Sequence, residues 1–337
     1  MEEGTIEISS SGKQIWVPCV TIDGRHVIIT GKWCRMAVIK GEQWLEDEPV
    51  RDPELFVSTL KTSAFKPDIF AFSQRMYEIR PKHSYYMEWD NLAAIPITTF
   101  EEWWEKRVSR KLRQDITRGA RLGLTVAEAE YDDALAKGIW ETYNETPIRS
   151  GRRYWHYGKD FETVKRENAT HLDRSQFLVA RCGEEFVGFM KIVHAGRIAH
   201  ILQIVAKQKH HDKRPLNALI AKAVELCHQR GSAYFTYGRY TYGSNKTSSI
   251  REFKHRNGFV EIRFPRYYIP LTLKGRMILG SRLHLGWRRL VPHQLYGLLV
   301  NARAMYLEKT ALKSKTGASA NLAADTVKTS LDEPSET

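Results

Sequence analysis

Three strand-like runs follow one another between residues 176 and 207, and this succession constrains the fold more than any other feature of the chain. They are QFLVARCG, EFVGFMKIVHAG and RIAHILQIVAK. Gly183 and Gly196 fall between them as turn residues, so the stretch reads as an antiparallel meander. An amphipathic helix follows, with Leu216, Leu219, Ile220, Ala223, Val224 and Cys227 on one face and Gly231 as its stop. Pro215 is tolerable in its first turn, where an amide would be unpaired in any case. The strand AYFTYGRY comes next, then a short helix over Ser249 to Arg256, an Asn257-Gly258 turn and a strand through Phe264.

The flanks are organised less clearly. Ile15-Trp16-Val17 and Val27-Ile28-Ile29 bracket an Asp23-Gly24 turn, which predicts a hairpin within a β-rich stretch over residues 5–45. A helix is expected over residues 52–61 and a strand over 85–89. Thr99 is placed to cap a helix whose apolar face would carry Phe100, Trp103, Trp104, Val108, Leu112 and Ile116. Its other face would present Arg107, Arg110, Arg113 and Arg118, and Gly123 would end it before the strand LTVAEAE. After a helix over 133–145 comes a loop of unusual content, NETPIRSGRRYWHYGKD, from Asn144 to Asp160. Residues 273–312 mix arginines with leucines as a basic amphipathic helix would, and the Ser/Thr/Ala-rich tail from Ser314 has the composition of a disordered segment.

Composition narrows the classes. Apolar residues make up 42% of the chain, enough for a sizeable core. A net charge of +13 favours polyanionic partners: RNA, anionic lipid or phosphate-bearing substrates. The four cysteines form no CxxC pair, and His194, His200, His210 and His211 lack a companion acidic cluster, so no metal site is expected. Scattered free cysteines, an N-terminus without an apolar signal core, and no apolar run of about 18 residues give the expectation of a cytoplasmic protein without a transmembrane segment.

The order of elements over residues 99–271, closed by IREFKHRNGF (Ile250–Phe259), resembles the GNAT acyltransferase fold. In that fold a short helix, a Gly-Phe turn and a final strand complete the domain. The chain further resembles the Fem-type peptidoglycan aminoacyltransferases, which carry a Phe-Lys pair before the last strand, matched here by Phe253 and Lys254, and a segment like YGRYTYGSNKTSS ahead of it. The resemblance implies an α/β (α+β) fold with a mixed, mostly antiparallel central sheet flanked by helices. Residues 1–98 would be an N-terminal β-rich accessory region or part of a second, incomplete half. Residues 99–272 would be the acyltransferase domain, 273–313 a helical region and 314–337 the tail.

The resemblance also assigns roles. Lys254 would stabilise the tetrahedral intermediate, Gln203 would lie on the strand lining the acyl group, and Glu145 is a candidate base. Acceptor contacts would come from Asn144, Arg149, Arg152, Arg153, Tyr154 and Tyr157. Donor phosphates would sit near Lys213, Arg214 and Asn217. That stretch, His211 to Leu219, has none of the glycines with which CoA-dependent relatives cradle a pyrophosphate, and Pro215 offers no amide. The implied co-substrates are acyl-CoA or aminoacyl-tRNA, with no tightly bound cofactor. The implied acceptor is an amine, with a cell-envelope precursor or another phosphorylated metabolite as the candidate class. Peripheral contact with the inner face of an anionic membrane and contact with tRNA both follow from the charge. A non-catalytic GNAT-like module that binds RNA or an anionic membrane is the alternative.

Overall fold

The computed structural model describes residues 2–10, 13–46, 48–149, 151–241 and 249–285. The chain divides into two units, the first ending at Thr272 and the second beginning at Leu273. In chain order the first unit runs β1 (Glu2–Ser10), β2 (Lys13–Ile22), β3 (Arg25–Thr30), β4 (Met36–Ile39), α1 (Pro53–Thr62), β5 (Ile69–Ser73) and β6 (Met87–Pro96). It continues with α2 (Phe100–Glu102), α3 (Arg110–Arg121), β7 (Leu124–Ala129), α4 (Asp133–Tyr143), β8 (Ile148–Arg149), β9 (Arg152–Arg153) and α5 (Phe161–Asn168). It ends with β10 (Ser175–Cys182), β11 (Glu185–Ala195), β12 (Ile198–Ala206), α6 (Pro215–Gln229), β13 (Tyr234–Thr236), α7 (Ser249–Arg256) and β14 (Val260–Pro270). The second unit contributes α8 (Leu273–Gly280) and a short turn of helix at Leu283–Leu285. The remainder of the predicted basic helical region and the tail lie outside the described residues.

Twelve strands form one sheet in the order β1-β2-β3-β4-β5-β14-β6-β13-β12-β11-β10-β7. It is mostly antiparallel, with β4–β5 and β12–β13 as its parallel pairs. Both parallel pairs have the same construction. The antiparallel meander β2-β3-β4 crosses through α1 to β5, and the meander β10-β11-β12 crosses through α6 to β13. Each crossover strand then needs a partner on its free edge, because unpaired ladder groups cost free energy when buried. The partners are exchanged. β14, last in sequence, closes the first half against β5, and β6 closes the second half against β13. β6 and β14 pair with each other at the centre, from Val260↔Ala94 to Tyr267↔Met87. Residues before Thr99 thus build half of a continuous sheet.

One face of the sheet carries α1 over its first half and α3 with α6 over its second. Phe56, Leu60, Val20 and Tyr267 share one core, and Leu112, Leu219, Ile220, Ala199, Ile201 and Phe235 share another. On the opposite face α4 and α5 cover Phe177, Val179, Phe189 and Val205. Local chemistry sets the helix ends. Asp52 accepts from the amides of Glu54 and Leu55, and Pro53 occupies the first helical position of α1.

The single helix predicted from Thr99 to Gly123 is in fact broken. Phe100–Arg107 ends in a wide π-type turn, with the Val108 amide bonded to Trp103 O at 3.1 Å, and Val108 itself is extended. Ser109 then caps α3 through Leu112 N. The break lets Trp103 be buried beneath α7 instead of following the helical stripe. Arg113, predicted on the solvent side, donates instead to the carbonyls of Trp104, Glu105 and Val108 that the break leaves open.

The turn after α7 has almost no steric freedom. Gly258 has φ +80°, and a Cβ there would lie 2.8 Å from Trp103 Nε1 and 3.1 Å from Arg107 Cβ. Gly258→Ala is therefore expected to destabilise the protein by about 2 kcal/mol or more, read as a lower urea midpoint. An unchanged midpoint would contradict this packing.

Candidate functional site

Strands β12 and β13 hold together only briefly. Their register consists of Ile198↔Tyr234, Ala199↔Phe235 and His200↔Thr236. Beyond this point β12 runs on to Ala206, while the other chain leaves along β6, with Tyr237 N bonded to Ala93 O at 2.9 Å. A bulge at Leu202 reinforces the divergence, since pairing with β11 jumps from Ile192↔Ile201 to Lys191↔Gln203. The result is a wedge-shaped opening with its apex at His200 and Thr236.

Lys254, on α7, contacts the segment that has parted from β12. It is fully buried, and its Nζ donates to Arg239 O at 2.6 Å and lies 4.5 Å from the centre of the Tyr237 ring. Both contacts are on the segment that has just parted from β12. Burial lowers its pKa to about 8, so at neutral pH the ammonium is mostly charged while poorly hydrated. The helix is held by the turn that follows it. Phe259 N and Asn257 N bond to Lys254 O, Trp103 Nε1 bonds to Asn257 O at 3.1 Å, and Asn217 Nδ2 bonds to Asn257 Oδ1 at 3.0 Å. Asn217 is buried in this lattice, so its side chain orients α7.

The other two residues read as donor-binding are exposed to different degrees. Lys213 Nζ lies 3.2 Å from His210 Nδ1. Arg214 adopts φ +57° just before α6, is about half exposed and faces Asp115 at 3.7 Å. The Arg214 amide bonds to His211 O, and those of Asn217 and Ala218 bond to Arg214 O. Pro215 has no amide. Among residues 214–218 only the Leu216 amide stays available to an anion, so a phosphate here would rely on the two cationic side chains.

The loop from Asn144 to Asp160 is tightly stapled and carries the small hairpin β8–β9. Arg149 donates to Ala206 O and Thr142 O, both at 2.8 Å, and to Glu145 Oε2 at 3.1 Å, and its guanidinium lies over Tyr154. Glu145 also accepts from the amides of Gln208 and Lys209. These donors occupy the carboxylate, which fastens the loop to the end of β12 and leaves little lone-pair capacity for a base. Asn144 bonds to Trp140 O, Lys159 O and Gly158 N. Tyr154 is largely buried, and burial raises its pKa. Arg153, Trp155 and Tyr157 are exposed, whereas the side chain of Arg152 lies outside what the structure describes. Gln203, just past the bulge, faces His156 at 3.2 Å. His156 is buried against Tyr143 and Trp155, and burial holds its pKa at about 3. Sequence reading passed over this histidine.

A cavity of about 980 Å³ lies over the central strands. Its polar lining includes Glu42, Asp90, His200, Arg239 and Arg266, with Trp44 beside them. Ala199 and Ile201 belong to the core under α6, while Ile198 and His200 point the other way, so this is the face opposite α6. None of the residues read from sequence as site residues lines the cavity. Lys254 abuts it through Arg239, whose carbonyl it binds. Arg266 pairs with Glu42 at 2.7 Å and lies 3.9 Å from Asp90, which Arg239 also meets at 3.0 Å. The one signal that could have revealed this cavity was the interruption of apolar strand runs by Asp90, His200 and Arg266.

Residues 106–255 match the family model described as Acetyltransferase (GNAT) domain. No curated protein matches the chain. Among solved structures, a crystal structure of FemX is similar with a TM-score of 0.53 and 10% identity, covering 82% of this chain and 90% of that one. A conserved protein of unknown function from Bacteroides thetaiotaomicron has a TM-score of 0.50 and 12% identity, with 76% and 86% of the two chains covered. The C-terminal domain of a putative lysylphosphatidylglycerol synthetase from Agrobacterium fabrum follows at 0.49 and 14%, with 79% and 88% covered. No helix among the described residues is long and apolar enough to cross a membrane.

Arg149→Ala would leave Ala206 O, Thr142 O and the Glu145 carboxylate short of a donor. The expected loss is about 2 kcal/mol or more in urea unfolding, with Arg149→Lys failing to restore it because one ammonium cannot span the three acceptors. Wild-type stability in both variants would show that the loop is held by other contacts.

Proposed function

We propose that this GNAT-fold acyltransferase moves an acyl or aminoacyl group onto an amine acceptor in the opening between β12 and β13. The observation that carries this reading is Lys254, a buried ammonium held against the segment that forms one side of the opening. In acyl transfer to an amine, negative charge develops on the acyl oxygen as the tetrahedral intermediate forms. A charged donor in a poorly hydrated site stabilises that charge far more than water would. To Gln203, beyond the bulge on β12, we assign the orientation of the acyl group.

The turn before α6 favours a donor other than acyl-CoA. With Leu216 as the one available amide among residues 214–218, a pyrophosphate has no cradle of backbone donors. Lys213 and the half-exposed Arg214 suit a carrier whose phosphates are met by side chains, as in aminoacyl-tRNA. The net charge of +13 assists its approach. On the acceptor side Arg153, Trp155 and Tyr157 present a cation and two rings at the surface of the stapled loop, which suits an amine that also bears phosphate or carboxylate. A cell-envelope precursor is the acceptor class we favour, and a location in the cytoplasm, peripheral to the membrane, is the corresponding expectation.

The direct test is mass spectrometry of tRNA and small molecules that co-purify with the chain, followed by turnover of a panel of charged tRNAs and acyl-CoA thioesters. Charged tRNA is the expected companion. Bound CoA would overturn the choice of donor, and inertness toward the whole panel would overturn acyl transfer itself.

Lys254→Met should lower kcat on the active donor by a factor of about 10²–10³ while the protein stays folded. The sign of the pH effect follows from the lowered pKa. Lys254 is charged below about 8 and neutral above, so kcat/KM should fall on the alkaline side with an apparent pKa near 8. Lys254→Arg should abolish that limb, since guanidinium stays charged. An alkaline limb unchanged in the Arg variant would remove Lys254 from the reaction.

A further inference from the structure

We propose that His200 receives the acceptor amine in the central cavity and takes its proton through Nε2, working from the face of the sheet opposite Lys254. The assignment rests on the acyl-transfer reading above and supplies the base that Glu145, with its oxygens already occupied, does not.

Four observations bear on it. First, His200 lines the 980 Å³ cavity at the apex where β12 and β13 part. Second, its Nδ1 lies 2.7 Å from Thr236 Oγ1, while its buried Nε2 makes no hydrogen bond of ordinary geometry, although the Gln43 backbone also acts on the ring. A polar atom without such a bond in a side chain only 8% exposed is costly, and a site that takes up a ligand there recovers the cost. Third, Thr236 Oγ1 is also 3.4 Å from Ala199 O. In the proposed tautomer the hydroxyl donates to Ala199 O and Nδ1–H donates to the hydroxyl, which turns the Nε2 lone pair toward a ligand. Fourth, His200 and Lys254 approach the same stretch of chain, His200 through Thr236 and Lys254 through the Tyr237 ring and Arg239 O.

The ring is held upright by the Trp44 indole, edge-on at 5.0 Å, and Trp44 is itself fixed by Arg174 Nη1 on its carbonyl. Burial holds the His200 pKa at about 4, and the neighbouring His194 and Arg174 act in the same direction, against the Gln43 backbone. The imidazole is therefore neutral and able to accept. In the step itself the amine nitrogen adds to the acyl carbon, which acidifies its N–H. Nε2 takes one proton from nitrogen. The bond from carbon to the donor's oxygen or sulfur then breaks, and the proton returns to that leaving atom, giving amide and free carrier.

The test needs no acyl donor. In the full-length protein labelled with ¹⁵N-histidine, the His200 ring should appear as the Nδ1–H tautomer, and ethanolamine should shift its Nε2 resonance saturably. His200→Asn should weaken ethanolamine binding about tenfold, the loss of one good hydrogen bond, and Thr236→Val should change the tautomer balance. A proton on Nε2 in the wild-type protein, or an Nε2 resonance that ethanolamine leaves unmoved, would overturn the proposal, and neither result depends on a variant folding. Either failure would leave acyl transfer standing, whereas an inert donor panel would strike that reading and not the ring's behaviour.

Discussion

The antiparallel pairing of β6 with β14 is the constraint on which the rest of the first unit depends. Each of these strands closes the half that the other's chain neighbours built, so each half completes its sheet only with a strand paired across well over a hundred positions of sequence. Their register also fixes the floor of the central cavity, because Asp90 on β6 and Arg266 on β14 face the same side and meet in one ion-pair group with Glu42 and Arg239. Largely buried charges such as Glu42, Asp90 and Arg266 are tolerated when paired and hydrogen-bonded, and here Ser73 and the facing carboxylates supply the partners of Arg266.

Divergence of a parallel pair is the feature on which the proposed chemistry rests. A parallel ladder through a crossover helix ordinarily continues for the length of both strands. Here it stops after three residue pairs because a bulge on β12 and the capture of Tyr237 by β6 pull the two chains apart. The opening so made is bordered by the stapled loop on one side and by α7 on the other. Side-chain hydrogen bonds hold both of these borders. Trp103, Asn217 and Asn257 lock the turn that aims Lys254, and Arg149 locks the loop against Ala206.

Some of the positive charge is used inside the fold. Arg113, Arg149 and Arg174 donate to backbone carbonyls that secondary structure leaves open, and the buried Lys191 does the same for Asn168 O. The composition alone suggested a polyanion-binding surface. The structure assigns several of these cations to helix ends and loop closure.

What the sequence determined by itself was local. The meander at 176–207, the amphipathic α6 and the Gly258-Phe259 turn were all legible, because periodicity and turn chemistry are encoded over a few neighbouring residues. Lys254 was singled out through a family resemblance, and its burial was not readable from a helix that is mostly polar. Tertiary structure alone decided the break at Val108, the exchange of β6 and β14, and the internal roles of Glu145, Asn217 and Arg149. It alone brought His200, Trp44 and Arg266 around one cavity. The physical reason is the same in each case: these arrangements are set by contacts between residues far apart in the chain, and a side chain's neighbours across a sheet leave no period in the sequence from which to read them.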